Sequence, residues 1–214
     1  MTYRLYGDIG SGSAIVELAL AELGEAVALG EVPLQQNAQT GSKYAAINPH
    51  RKLPSLITPK GETLTESAAI LLTLDERYPA ACLLPADSVA RAAARRWLLF
   101  MAAELYPIIE MVDYPERFQP EGKATPQARR EALTAHAQAI WNQRFLIVES
   151  ALSDGEWFLD SGFSLLDIYV SVLSRWIKPV EFRRSRLPGI ERIASRLGQR
   201  RRLDLVWRRH FAER

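Results

Sequence analysis

A hydroxyl group in a glycine-rich loop is the first feature of the sequence that could do chemistry. Ser11 lies between two glycines, after a short β-type run at residues 3–6 and before a stretch with helical periodicity. Unpaired amides at a helix N-terminus and the positive end of the helix dipole stabilise an anion. Ser11 could therefore donate to a thiolate or an oxyanion, and Ser13 or the phenol of Tyr6 could do so instead. The structural alternative is that the loop only turns the chain and caps a helix.

Residues 51–54 form a second candidate site. Arg51 and Lys52 offer cations to a carboxylate, although two basic residues in a loop are often simply solvated. Pro54 opens a short apolar run, where a proline is tolerated because it cannot donate into a ladder. If the Leu53–Pro54 bond is cis, the Leu53 amide and carbonyl are free to pair with an extended peptide; a trans bond is the alternative.

Glu66 and Ser67 begin a predicted helix and form a third candidate site. Ser67 and its amide could hold a carboxylate at the positive end of the dipole, and Glu66 could accept from an ammonium group. Together they would bind the head group of an amino acid. A simple helix cap is the alternative.

Composition excludes several classes of protein. The chain has 214 residues, 48% of them hydrophobic and 24% charged, which is typical of a globular protein with a sizeable core. The single cysteine, Cys82, excludes an internal disulfide, and with only 3 histidines it argues against a metal centre. No apolar stretch approaches the roughly 18 residues of a membrane span, and the N-terminus does not resemble a signal peptide. We therefore expect a cytoplasmic protein with neither a metal cofactor nor a membrane partner.

Charge is unevenly distributed along the chain. Residues 175–214 contain 13 Lys and Arg against 4 Asp and Glu, although the formal net charge of the whole chain is only +2. This end could attract anions. Solvated helix faces are the favoured explanation, and nucleic acid is not expected as a partner, because no aromatic residues alternate regularly with these charges.

The elements that must position these groups change character along the chain. The first third alternates strand and helix: a β-loop-α unit, a weaker strand at 26–32, a hairpin around the turn 59–62, and a helix at 67–77. Residues 80–87 are predicted to be a short linker, because they contain a Leu-Pro pair, which breaks helices, and because the pattern changes after them.

Beyond the linker the pattern is helical throughout. We predict one long helix at 88–111 with a kink at Pro107, further helices at 126–152 and 165–177, and two shorter basic helices at the end. The helix at 165–177 is apolar all round, which predicts a central position. Ser164 and Asp167 have the spacing of a capping box at its start.

Taken in order, these pieces resemble the cytosolic glutathione S-transferase family over nearly the whole chain. The resemblance rests on Asn48-Pro49-x-x-Lys52-Leu53-Pro54, on Thr65-Glu66-Ser67-Ala68-Ala69-Ile70 and on Ser164-x-x-Asp167-Ile168. It implies an α/β thioredoxin-like N-terminal domain with a mixed four-stranded sheet, followed by an all-α helical bundle. The expected boundaries are 1–79 for the first domain, 80–87 for the linker and 88–214 for the second domain.

The resemblance also implies a glutathione site in the N-terminal domain. Leu53, beside a cis Pro54, would pair with the cysteinyl backbone. Glu66 and Ser67 would hold the γ-glutamyl head, and Lys52, with Arg51, would face the glycine carboxylate. A hydroxyl from the first loop would donate to the sulfur and lower a thiol pKa that starts near 8.5. Ser11, Ser13 and Tyr6 all remain candidates for this donor.

The second substrate would be a small hydrophobic electrophile. Its pocket is expected between the domains, with Tyr106 and Tyr114 among its walls, although either tyrosine could equally serve the core or the interface of the homodimer that the family implies. Because Cys82 lies in the linker, a mixed-disulfide mechanism is disfavoured. The alternatives are a glutathione-dependent isomerase or thiol reductase, and a non-catalytic interaction protein that uses the basic segments 200–202 and 208–209.

Overall fold

The N-terminal part of the chain forms a mixed four-stranded sheet. A computed structural model describes residues 2–118 and 125–212, so both outer ends of the predicted domain ranges lie outside the described residues. The strands are Tyr3–Gly7 (β1), Val27–Glu31 (β2), Ser55–Ile57 (β3) and Thr63–Thr65 (β4). Their spatial order is β2-β1-β3-β4, with β1 parallel to β2 and antiparallel to β3, and β3 antiparallel to β4. The predicted mixed sheet is confirmed.

Helices are the main elements of the rest of the described chain. In the first part they are α1 (Ser13–Leu23), α2 (Ser42–Ala45) and α3 (Ser67–Arg77). The later helices are α4 (Ser88–Phe100), α5 (Tyr106–Asp113), α6 (Pro126–Glu149), α7 (Leu165–Ser174), α8 (Val180–Arg186), α9 (Pro188–Gln199) and α10 (Asp204–Phe211). The structure thus confirms a thioredoxin-like sheet domain followed by a helical domain.

Two predictions about the helices were wrong in detail. The helix predicted at 88–111 is interrupted by a π-helical turn at Met101–Leu105, immediately before Pro107. Proline has no amide to donate to the preceding turn, so a helix register change there is expected. Up to residue 212, three helices rather than two follow α7, because Pro188 begins a new helix and separates α9 from α8.

One continuous apolar core joins the two parts. Helix α1 is buried from Ser13 to Leu20, and α7 is buried along its whole length, as predicted. The two helices pack against each other, so the helix that follows the Ser11 loop is also the link to the helical domain. The predicted capping box is present: Ser164 accepts from the first turn of α7, and the Asp167 carboxylate accepts from the Ser164 amide at 2.7 Å.

Within the described ranges, no helix combines the length and the apolarity needed to cross a membrane. The same residues contain no cluster of His, Cys, Asp and Glu that could hold a metal ion.

Candidate active site

A cavity of about 440 Å³ lies between the sheet domain and the helical domain. Most of the sequence-predicted site residues line it: Ser11, Arg51, Lys52, Leu53, Pro54, Glu66, Ser67, Tyr106 and Tyr114. Two of the three candidate sulfur donors, Ser13 and Tyr6, do not. Residues separated by more than a hundred positions therefore meet at one cleft.

Ser11 faces this cavity from a tightly bonded turn. Its Oγ lies 2.8 Å from the Asp8 carbonyl and 2.8 Å from the Ser13 Oγ, and it accepts weakly from the Asp8 amide at 3.2 Å. Ser13 is the first residue of α1 and is only 2% exposed, behind Ser11. If Ser13 donates its proton to Ser11, the Ser11 proton is free to turn from the Asp8 carbonyl to a ligand.

Tyr6 points to a different face of the sheet. Its ring lies against Gly30 of the paired strand β2 and 6.2 Å from the Tyr44 ring centroid. A Cβ on Gly30 would overlap the Tyr6 ring, so the glycine makes room for it. Tyr6 therefore fills space over the sheet and does not face the cleft.

Tyr106 and Trp176 cover the Ser11 loop from the helical domain. Their rings are 5.3 Å apart, and Trp176 Nε1 donates to the Gly10 carbonyl at 2.7 Å. A Cβ on Gly12 would overlap the Tyr106 hydroxyl, so only glycine allows this approach. Burial, helped by nearby Tyr169 and Glu66, raises the pKa of Tyr106. Its hydroxyl stays protonated and has no hydrogen-bond partner among the described residues.

The Leu53–Pro54 peptide bond is cis. In the described part of the chain, no hydrogen bond outside the helices and strands uses the Leu53 amide or carbonyl. The neighbouring Lys52 carbonyl, by contrast, accepts from Tyr44 at 2.7 Å and from Asn48 at 2.8 Å. The segment is thus fixed on one side of Leu53, while the Leu53 backbone remains available at the cavity wall.

Lys52 is paired across the cleft. Its Nζ lies 2.7 Å from Glu110 of α5, and Arg117 contacts the same carboxylate at 3.1 Å. Burial alone would raise the pKa of Glu110, but the hydrogen bonds and charges of Lys52 and Arg117 outweigh it and lower the pKa. Arg51, in contrast, has no hydrogen-bond or ion-pair partner among the described residues and lines the cavity with a φ of 56°.

The start of α3 presents amides and a hydroxyl to the cavity. Ser67 is 5% exposed, and its Oγ lies 2.9 Å from the hydroxyl of Tyr169 in α7. Glu66 precedes the helix with a φ of 61°, and its side chain is 71% exposed, within reach of solvent or of a ligand. Tyr169 therefore supports Ser67 from the helical domain, while the Glu66 carboxylate, 3.8 Å from His50 Nδ1, stays at the surface.

Sequence reasoning missed Trp176, Glu110 and the support by Tyr169. Glu110 and Tyr169 lie in helices α5 and α7, and Trp176 lies in the turn after α7, so no local spacing connects any of them with the Ser11 loop. Tyr169 alone left a signal, because a tyrosine in a helix that is apolar all round needs a hydrogen-bond partner for its hydroxyl.

Comparisons with known proteins agree with this geometry. The family profile described as "Glutathione S-transferase, N-terminal domain" matches residues 5–82. The glutathione S-transferase GstA of Escherichia coli O157:H7 is 28% identical over 194 residues, which are 90% of this chain and 89% of that protein. The maleylacetoacetate isomerase of Pseudomonas aeruginosa is 37% identical over 65 residues, 30% of this chain and 31% of its own.

A solved structure extends the similarity to both domains. The crystal structure of a glutathione transferase homologue from Sulfitobacter, with bound glutathione, superimposes with a TM-score of 0.86 at 26% identity and covers 96% of each chain. The matched profile, the relatives that align along most of the chain and the shared two-domain fold lead to one conclusion: residues 5–82 match the N-terminal domain of the glutathione S-transferase family, and the chain as a whole is similar to members of that family in sequence and fold.

Proposed function

We propose that this chain is a glutathione transferase that ionises the glutathione thiol beside Ser11 and directs it at a small hydrophobic electrophile. The observation that carries the proposal is that Ser11, Leu53 and Ser67, the first residue of α3, all line the same cavity. A hydroxyl donor, an extended backbone edge and an amide-rich helix end match the thiol, the peptide and the γ-glutamyl carboxylate of this tripeptide.

Each part of glutathione then has a counterpart in the N-terminal domain. The Leu53 amide and carbonyl pair with the cysteinyl residue, as in the addition of a strand to a sheet edge. Ser67 and the first amides of α3 hold the γ-glutamyl carboxylate, and Glu66 accepts from its ammonium group. Arg51 and Lys52 provide cations for the glycine carboxylate. The support for these contacts is the position of the groups on one cavity wall.

The Ser11 hydroxyl stabilises the thiolate because a hydrogen bond to the charged form lowers a pKa. The thiolate is the nucleophile: it forms a bond from sulfur to carbon, and the electron pair moves to the leaving group or to the activated π-system of the electrophile. Tyr106 and Tyr114, together with Trp176, form the opposite wall, where an apolar electrophile would be held next to the sulfur.

A substitution series tests the proposed donor. We expect Ser11→Ala to raise the apparent pKa of the bound glutathione thiol by about 1–2 units, because one hydrogen bond to the thiolate is lost. Ser13→Ala should have a smaller effect, through Ser11, and Tyr6→Phe should have none. The measurement is the ultraviolet absorbance of the thiolate in the complex as a function of pH. A thiol pKa that rises in Tyr6→Phe and not in Ser11→Ala would contradict the assignment.

Glutathione-dependent isomerisation is the second candidate, and the 37% identity of a 65-residue segment of the chain to a maleylacetoacetate isomerase favours it. The same thiolate would add to the substrate and leave again. Product analysis separates the two activities, since an isomerase consumes no glutathione and a transferase consumes one equivalent per turnover. A thiol reductase would instead yield oxidised glutathione.

A non-catalytic interaction module receives less support from the C-terminal arginines. Arg200 pairs with Glu22 at 2.6 Å, and Arg208 and Arg209 contact Asp204 and Glu17. These charges therefore serve partners within the chain. A homodimer and a cytoplasmic location, which the family resemblance implies, remain predictions.

A further inference from the structure

The last helix of the described chain holds the Ser11 loop from behind. His210, in α10, is only 9% exposed, and its Nδ1 lies 3.0 Å from the Gly10 amide nitrogen. On the opposite side of the same residue, Trp176 Nε1 donates to the Gly10 carbonyl. Both backbone polar groups of Gly10 are thus bound by side chains of the helical domain, one residue before Ser11.

The hydrogen bonds define the tautomer of His210. Because the Gly10 amide donates to Nδ1, the neutral ring must carry its proton on Nε2, which lies 2.9 Å from the Glu17 Oε2. Glu17 is 4% exposed in the middle of α1, and its carboxyl group also contacts the guanidinium group of Arg209. Glu17, His210 and Gly10 therefore form a directed chain of hydrogen bonds.

These hydrogen bonds restrain the backbone at Gly10. Its φ of +73° lies in the left-handed region, which glycine occupies freely, so no side chain of its own restrains the conformation of Gly10. Ser11 makes its hydroxyl contacts only within the turn formed with Asp8 and Ser13. The backbone bonds of the turn and the bond from the Leu34 amide to Asp8 hold its shape, and the contacts of Gly10 with His210 and Trp176 add restraint from the helical domain.

We propose that His210 is a positioning residue, which sets the Ser11 hydroxyl by accepting from the Gly10 amide while Glu17 fixes its tautomer. The inference rests on the proposed role of Ser11 at the glutathione sulfur. A hydrogen bond weakens steeply as its distance and angle depart from the optimum, so a small rotation of the loop would weaken thiolate stabilisation more than it would weaken glutathione binding.

Two substitutions separate the two hydrogen bonds of the His210 side chain, one with the Gly10 amide and one with Glu17. In His210→Asn, the amide oxygen can take the place of Nδ1 and accept from Gly10, while the bond to Glu17 is lost. In His210→Gln, the amide nitrogen can take the place of Nε2 and donate to Glu17, while the acceptor for Gly10 is lost. Packing is disturbed in both, so a role in packing alone predicts the same effect for the two variants.

The first readout is the pKa of the glutathione thiol in the complex. We expect His210→Asn to stay within about 0.3 units of the wild type and His210→Gln to raise the thiol pKa by about 1 unit. We also expect kcat to fall about 10-fold in His210→Gln, with KM for glutathione changed by less than about 2-fold. Equal effects of the two variants, or none in His210→Gln, would overturn the inference.

The second readout does not depend on glutathione chemistry. Hydrogen exchange of the Gly10 amide should be protected in the wild type and in His210→Asn, and at least about 10-fold faster in His210→Gln. An unprotected Gly10 amide in the wild type, or equal protection in both variants, would overturn the inference. If the wild type shows no lowered thiol pKa while Gly10 follows this pattern, the proposed role of Ser11 fails and the contact by His210 stands.

Discussion

At the scale of single residues, His210 links the pH dependence of stability to the Ser11 loop. Burial, together with the neighbouring charge of Arg209, lowers the pKa of His210 from 6.5 to about 4, against a smaller opposing effect of Asp8. Between these two values the unfolded chain binds a proton that the native protein does not. The free energy of unfolding therefore decreases as the pH falls from 6.5 towards 4, and this contribution is fully present above pH 6.5.

This dependence can be measured by denaturant unfolding of the wild type and of His210→Asn at several pH values. We expect the difference in unfolding free energy between the two proteins to shrink by about 2–3 kcal/mol between pH 7 and pH 4. Asp167, whose pKa burial raises to about 6, titrates in the same range with the opposite sign, but it is present in both proteins and cancels. A difference that stays constant with pH would contradict this prediction.

The sequence offered three candidate hydroxyls for the sulfur and could not choose among them. Ser11 and Ser13 differ because α1 begins at Ser13 and turns it inward, whereas Ser11 lies in the turn before it. Tyr6 faces the other way because of the strand alternation that starts at Tyr3. A one-residue difference in the start of a helix decides such an orientation, and local sequence patterns do not define helix ends that finely.

At the scale of elements, the start of α7 depends on a buried carboxylate. Asp167 accepts from the amides of Phe158 and Ser164, both at 2.7 Å, and is fully buried. It thereby ties the loop before α7 to the first turn of the helix. Helix α7 packs against α1, the helix that follows the Ser11 loop. The cap therefore stabilises a helix that contacts the element behind this loop.

Asp167→Ala should lower the free energy of unfolding by about 3 kcal/mol, because two buried amides would lose their acceptor. Asp87→Ala is the matched control: Asp87 caps α4 through the amides of Val89 and Ala90 at an exposed site, where water can replace it. We expect the control to lose about 1 kcal/mol in denaturant unfolding. Equal losses in the two variants would show that burial of the capping box is unimportant.

The same element shows which parts of the helical domain could be predicted. The capping box and the central position of α7 were correct, because both follow from spacing and apolarity within a few residues. The π-helical turn before Pro107 was missed, because a proline indicates a disturbance of the helix without specifying how the chain absorbs it.

At the scale of the whole molecule, an ion pair bridges the two walls of the cleft. Lys52 comes from the loop before β3, and Glu110 comes from α5 of the helical domain. The Lys52 side chain is 50% exposed, so the pair itself stabilises the fold only weakly. We expect Glu110 to compete with glutathione for Lys52, because the glycine carboxylate of glutathione would bind the same ammonium group.

Glu110→Gln should therefore tighten glutathione binding, with Kd about 3-fold lower, because Lys52 no longer has a competing carboxylate. Glu104→Gln is the control: Glu104 pairs with Arg144 at 2.8 Å and does not line the cavity. Isothermal titration at low ionic strength would measure both variants. Weaker binding in Glu110→Gln would mean that the carboxylate orients Lys52 and does not compete with the ligand.

The contacts that assemble the cleft could be predicted only in part from the sequence. The motifs at 51–54 and 66–67 were recognisable because their order along the chain is specific. Contacts such as Trp176 with Gly10 and Tyr169 with Ser67 join positions more than a hundred residues apart, and only the packing of α7 and its neighbours against the sheet domain brings them together.

The proposed function depends on one distance, between the sulfur of bound glutathione and the Ser11 Oγ. A crystal structure of the protein with glutathione would measure it directly. We predict a separation of about 3.3 Å, with the cysteinyl backbone paired to Leu53 and the γ-glutamyl carboxylate at the start of α3. A sulfur bound to the Tyr106 hydroxyl and out of reach of Ser11, or a cleft that stays empty at saturating glutathione, would contradict the account.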